Sequence, residues 1–95
     1  MLTFLKERII DELKDALIYM EKAVENKHKS CGATFYHLSE GEVAHANHLV
    51  KTFRMTEKPE TVTDAEYSAM MKSILDAYSE DMGKYEAMKK LYWSE

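Results

Sequence analysis

The stretch GEVAHANHLV, Gly41–Val50, sets Glu42, His45 and His48 at successive intervals of three among alanines and aliphatic residues. Residues three or four apart share one face of an α-helix. Extended in both directions at about 100° per residue, that face gathers Phe35, Leu38, Leu49 and Phe53 into one stripe, and Glu42 and His45 fall in its middle. A carboxylate and an imidazole thus stand where an apolar core is expected, and the rest of the chain has to account for them.

The surrounding sequence is helical throughout. One proline and three glycines leave it short of turn punctuation, and its apolar positions recur with a helical rather than an alternating period. A first helix is expected over about residues 3–27. Its apolar face combines the series Leu5, Ile9, Ala16, Tyr19, Ala23 with the series Ile10, Leu13, Leu17, Met20, Val24. The link NKHKS leads into a second helix over about 30–55, and TEKPETVT, with the only proline, Pro59, separates it from a third over about 63–93. That third helix opens on a capping box, Thr63 with Glu66 three residues on. There is no internal repeat and no low-complexity tract. The fold class is all-α, a single domain of three helices.

The first series has a gap in its rhythm, and the residue that fills it is Glu12. Two helices therefore each carry acid at the centre of an apolar stripe. An unpaired buried carboxylate costs several kcal/mol even after relaxation, against a total stability of about 5–10 kcal/mol for a domain of this size. A positive group is needed beside the acids. On this reading no Lys or Arg occupies either stripe, since Lys14, Lys22, Lys51 and Arg54 fall elsewhere on the wheel, and a metal ion is the simplest candidate. Glu12, Glu42 and His45 are only three ligands. Two chains pairing their first and second helices about a two-fold axis would supply four Glu and two His, the set of dinuclear carboxylate sites in helical bundles.

Composition narrows the field further. With 95 residues, 45% of them apolar and 32% charged, the chain is a globular domain near the lower size limit for a self-sufficient core. No apolar run approaches the roughly 20 residues of a membrane-spanning helix. MLTFLKERII lacks the basic region and long apolar stretch of a signal peptide, so a cytoplasmic location is expected. A net charge of −4, with basic and acidic residues interleaved, argues against nucleic acid as a partner. The three glycines form neither a phosphate loop nor a nucleophile elbow. A single cysteine, Cys31, excludes an internal disulfide and a CxxC metal knuckle, and is expected as a small buried hydrophobe.

These residues resemble the ferritin-like superfamily. DELKDALIYMEKA, Asp11–Ala23, is similar to a ferritin-like first helix, with a ligand glutamate at Glu12 and a tyrosine seven residues on at Tyr19. EVAHANHL, Glu42–Leu49, is similar to its second, with Glu-x-x-His at Glu42 and His45. The interval from Glu12 to Glu42 resembles that of the half-length, two-helix encapsulated ferritins, which build a di-iron site across a subunit interface. Rubrerythrin-type proteins build a related site within one chain. The resemblance spans about residues 5–53 and implies a four-helix bundle completed by dimerisation. In it Glu12 would be a terminal ligand, Glu42 a shared or bridging carboxylate, and His45 a nitrogen ligand on each iron. Three departures stand out. The third helix has no Glu-x-x-His, so the second half-site has to come from a partner chain. The end KKLYWSE does not resemble the targeting tail of proteins loaded into encapsulin shells, and rubrerythrin's CxxC iron domain is absent.

Hard oxygen donors with one imidazole per metal suit Fe(II) or Mn(II), with Zn(II) the other candidate. The expected activity is oxidation of Fe(II) by O2 or peroxide in a homodimer, or in a larger assembly of dimers. The alternative is a non-catalytic assembly module whose inward acids form a buried Glu/His network or hold a structural metal. Around the three ligands, Tyr19 is expected as core packing that could also lie near the metal, and Asp15 is the acid that replaces Glu12 if the alignment slips. His48 sits at the stripe's edge, and Asp81 interrupts the third helix's series Tyr67, Met71, Ile74, Tyr78, Tyr85, Met88 as a supporting acid or a solvated edge. His28 and His37 read as surface residues. The seven methionines read as core filler rather than copper ligands.

Overall fold

A computed structural model of the chain describes all of residues 1–95 and contains three helices and no strand. They are α1 (Leu2–Glu25), α2 (Ser30–Met55) and α3 (Asp64–Trp93). At about 1.5 Å per residue, helices of 24 to 30 residues make a rod, and the molecule measures 52 × 18 × 15 Å.

Several boundaries have a local cause. The capping box forms as expected: Thr63 Oγ1 accepts from the Glu66 amide at 3.1 Å, and the Glu66 carboxylate accepts from the Thr63 amide at 3.3 Å. The turn between α1 and α2 is closed by Asn26, whose side chain donates to the Lys22 carbonyl at 2.8 Å. It then passes so close to α2 that a β-carbon at Gly32 would stand 2.3 Å from the Asn26 carbonyl oxygen. Glycine is required there by space. At the same end of the rod, Lys27 Nζ donates to the carbonyls of Leu91 and Ser94 at 3.1 and 2.9 Å. A cation thus satisfies the last carbonyls of α3 and ties them to the α1–α2 turn.

Helix α1 is the shared element and packs on both α2 and α3, whereas the backbones of α2 and α3 stay apart. Those two meet through long side chains: Tyr78 Oη donates to Asn47 Oδ1 at 2.7 Å, and Trp93 Nε1 donates to Tyr36 Oη at 3.1 Å. Two core clusters fill the rod. One joins Leu2, Leu5, Ile9 and Leu13 to Ala46, Phe53 and Ile74, and the other joins Ala16, Met20 and Ala23 to Tyr36 and Tyr85.

The α1 stripe is the one anticipated, but the α2 stripe is not. Helix α2 buries Gly32, Tyr36, Ser39, Ala46 and Phe53. Of the expected series only Phe53 is buried, Phe35 and Leu49 are half-buried, and Leu38 is exposed. The physical reason is volume. Gly32, Ser39 and Ala46 let α2 lie close against α1, since interaxial distance follows the side chains at the contact. Ser39 tolerates full burial because its hydroxyl donates to the Tyr36 carbonyl at 2.6 Å. With Gly32 taking the contact at the first turn, the neighbouring Cys31 is rotated outward, and it is exposed rather than buried.

Helix α3 lies on the far side of the α1–α2 pair. The groove between α1 and α2 that faces away from it is lined by Phe4, Arg8, Glu12, His45, His48 and Leu49. No helix is long and apolar enough to cross a membrane.

Candidate metal centre

The open α1–α2 groove holds the acids and the histidine singled out in the sequence. Antiparallel packing brings the middle of α1 beside the middle of α2, so Glu12, Glu42 and His45 converge although thirty residues separate the first two. One donor atom from each lies within 4.8 Å of the others. His45 Nδ1 stands 3.6 Å from Glu12 Oε2 and 3.8 Å from Glu42 Oε1. These separations are too long for hydrogen bonds, and they leave the donors pointing at a shared space.

Burial is graded across the trio. Glu12 is buried at 9% exposure, Glu42 is half-buried, and His45 stands exposed at the mouth. The Glu12 carboxylate is divided between two environments. Its Oε1 accepts a charge-assisted bond from Arg8 Nη2 at 2.7 Å, whereas Oε2 is buried and no hydrogen-bond donor of fixed protonation reaches it. A hydrogen bond shared with Glu12, reinforced by burial and by the negative charge of Glu12, raises the Glu42 pKa to about 7. The same shared hydrogen bond lowers Glu12; burial opposes that shift, while Arg8 and the charge of His45 assist it. Two carboxylates packed this closely hold a single negative charge between them near neutrality.

Arg8 was missed in the sequence: no Lys or Arg was expected on either stripe and a metal ion was the simplest positive group, yet Arg8 supplies a cation to Glu12 from beside the stripe. It precedes Glu12 by four residues, the spacing at which helical ion pairs form. It lies outside the apolar stripe, so a search confined to that stripe passes over it. Its long stem lets the guanidinium reach inward while the side chain stays 41% exposed.

The remaining candidates lie at graded distances from this centre. Asp15 is exposed, and its charge adds to the upward shift of Glu42. His48 is exposed and lines the groove without joining the cluster of donors. Tyr19 is half-buried, its ring stacked on Phe35 with centroids 6.5 Å apart. Asp81 is elsewhere: it lines a different groove, between α1 and α3, with Lys14 and Lys84. His28 and His37 are both exposed, as expected, and His37 Nδ1 lies 3.3 Å from Glu40.

No known protein family matches this chain, and searches of characterised proteins and of solved structures also return no match. The functional reading therefore rests on the residues and their geometry.

The donor set fits a divalent cation. Glu12 Oε2 is a buried oxygen without a fixed partner, Glu42 offers a carboxylate that a cation would deprotonate, and His45 offers a ring nitrogen from the solvent side. Two oxygens and one nitrogen are too few to complete a coordination sphere.

Proposed function

We propose that this protein is a di-iron carboxylate protein that oxidises Fe(II) with O2 or peroxide at a site shared by two copies of the chain. The convergence of Glu12, Glu42 and His45 around an oxygen with no fixed hydrogen-bond partner carries the reading. Two Fe(II) ions would each supply one electron. O2 with two protons would leave as hydrogen peroxide, or hydrogen peroxide with two protons as two waters. The chain's own residues would hold the ions, Glu12 from the buried side, His45 from the open side and Glu42 between.

The surface around the cluster supports a second copy as the source of the missing ligands. The groove is lined at one end by Phe4 (58% exposed) and Leu49, and helical spacing from Glu12 and Glu42 continues that face to Tyr19, Phe35 and Leu38 (42% exposed) at the other end. A two-fold axis perpendicular to the helices sets α1 against α1 and α2 against α2, both antiparallel, with the cluster at the centre. Measured from Glu12, Arg8 lies four residues before and Asp15 three residues after, so each Arg8 meets the Asp15 of the other copy. The same operation sets Phe4 near Tyr19 and Leu38 opposite Leu49. A two-fold axis parallel to the helices instead sets Arg8 opposite His48 and gives it no acid. The self-complementary pattern favours the first arrangement.

The reading is tested by anaerobic Fe(II) titration followed by admission of air, with absorbance and oxygen followed together. Saturation near one iron per chain, oxidation on exposure to O2, and loss of both in Glu42→Ala with the helical spectrum retained are expected. A second reading has one observation in its favour. Arg8 already stands on Glu12 without a metal, and the raised pKa of Glu42 lowers the charge beside it. A metal-free assembly module would show no iron binding above background and stability indifferent to chelator.

A further inference from the structure

The contact between Arg8 and Glu12 Oε1 uses one oxygen of a carboxylate whose other oxygen faces the proposed metal position. Arg8 is held lightly elsewhere. Its second contact, from Nη1 to Asp11 Oδ2, is 3.5 Å long, and two-fifths of its side chain is exposed to solvent. A guanidinium does not deprotonate in proteins, so raising the pH does not remove this competing cation from the carboxylate.

We propose that Arg8 is a built-in counter-ion that occupies Glu12 in the metal-free chain and is displaced when a divalent cation binds. This inference rests on the di-metal reading above. Placing a divalent ion and a guanidinium on one carboxylate sets like charges a few ångströms apart beside buried surface, where screening by water is weak. The guanidinium is the mobile partner, on a long solvent-exposed stem, whereas Glu12 is fixed by its burial in α1. Two carboxylates can receive it after release. Asp11, one helical position before Glu12, is already within 3.5 Å. Asp15 of a second copy lies opposite it in the two-fold arrangement. The device keeps the acids compensated while the site waits for metal, and it couples loading to pairing, because the released cation becomes an interface contact.

The test uses Zn(II), which has no redox chemistry to confuse the reading. Its affinity is measured by competition with a chromophoric chelator for the wild-type chain, Arg8→Gln and Glu42→Ala. Loss of one charge-assisted bond that competes with the ion predicts tighter binding by Arg8→Gln, by about three- to tenfold. Nitrogen-15 NMR of the wild-type chain gives a readout independent of any variant's folding. The Arg8 side-chain resonances should shift in step with Zn(II) occupancy, and the wild-type chain should bind more weakly than Arg8→Gln. Equal or weaker binding by Arg8→Gln, or Arg8 resonances unmoved at saturation, overturns the displacement while leaving the metal site in place. Absence of binding to wild type and Arg8→Gln alike overturns the metal reading, and this inference with it.

Discussion

Replacing Glu42 with Gln should move stability and metal binding in opposite directions. The raised pKa of Glu42 and the lowered pKa of Glu12, caused first by the hydrogen bond between them, favour a proton on Glu42, and a glutamine amide can make the same donation without a charge. The folded-state pKa of Glu42, about 7, lies above its ordinary value of 4.5. Its contribution to stability is therefore fully present below about 4.5 and is lost as the pH rises through about 7. A displacement from 4.5 to about 7 corresponds to about 3 kcal/mol at most. The Glu42 side chain is 20% exposed, which screens part of this, and the downward shift of Glu12 returns another part. A gain of about 1–2 kcal/mol for Glu42→Gln is expected at about pH 8, with little difference at about pH 5. For a domain of this size that raises Tm by roughly 5–15 °C. Thermal unfolding followed by circular dichroism, with chelator present and at both pH values, measures it. Adding Mn(II) or Zn(II) should then raise the Tm of the wild-type chain and leave Glu42→Gln unmoved. A glutamine variant that is destabilised at the higher pH, or shifted equally at both, would refute the shared proton.

Other perturbations bear on pairing and on the fold. Leu38→Asp places a charge on an exposed residue, so the monomer fold should persist while gel filtration and sedimentation report loss of the proposed dimer; an unchanged assembly would place the interface elsewhere. His45→Ala should abolish metal binding with Tm changed by no more than about 2–4 °C, because 64% of that side chain is exposed and its two carboxylate neighbours lie beyond hydrogen-bond reach. Gly32→Ala forces a β-carbon to within 2.3 Å of a backbone oxygen, and a net loss of about 1–3 kcal/mol in urea unfolding is expected despite alanine's better helix propensity. Thr63→Ala removes the capping box of α3 at a cost of about 1 kcal/mol.

Much of this protein was legible in its sequence, because helices are specified locally. Periodicity and the Thr63–Glu66 signature located all three helices to within two residues at every end. The spacing of Glu12, Glu42 and His45 within apolar stripes also marked the residues that converge. Periodicity defines a face, however, and does not say what the face meets. Helix α2 carries two adjacent faces, one of small residues around Ser39 and Ala46 and one around Phe35, Leu38 and Leu49. The larger residues looked like the core, yet close packing against α1 selected the smaller ones. Only the tertiary arrangement placed α3 on the far side, left the acid-bearing groove open, and set Asp81 in a separate groove. It also turned Cys31 outward and brought the Arg8 guanidinium onto Glu12, since the reach of a long side chain depends on the space its neighbours leave. The sequence by itself thus determined the helices and the acids they carry, while packing volume decided which faces were covered and which charge stands beside Glu12.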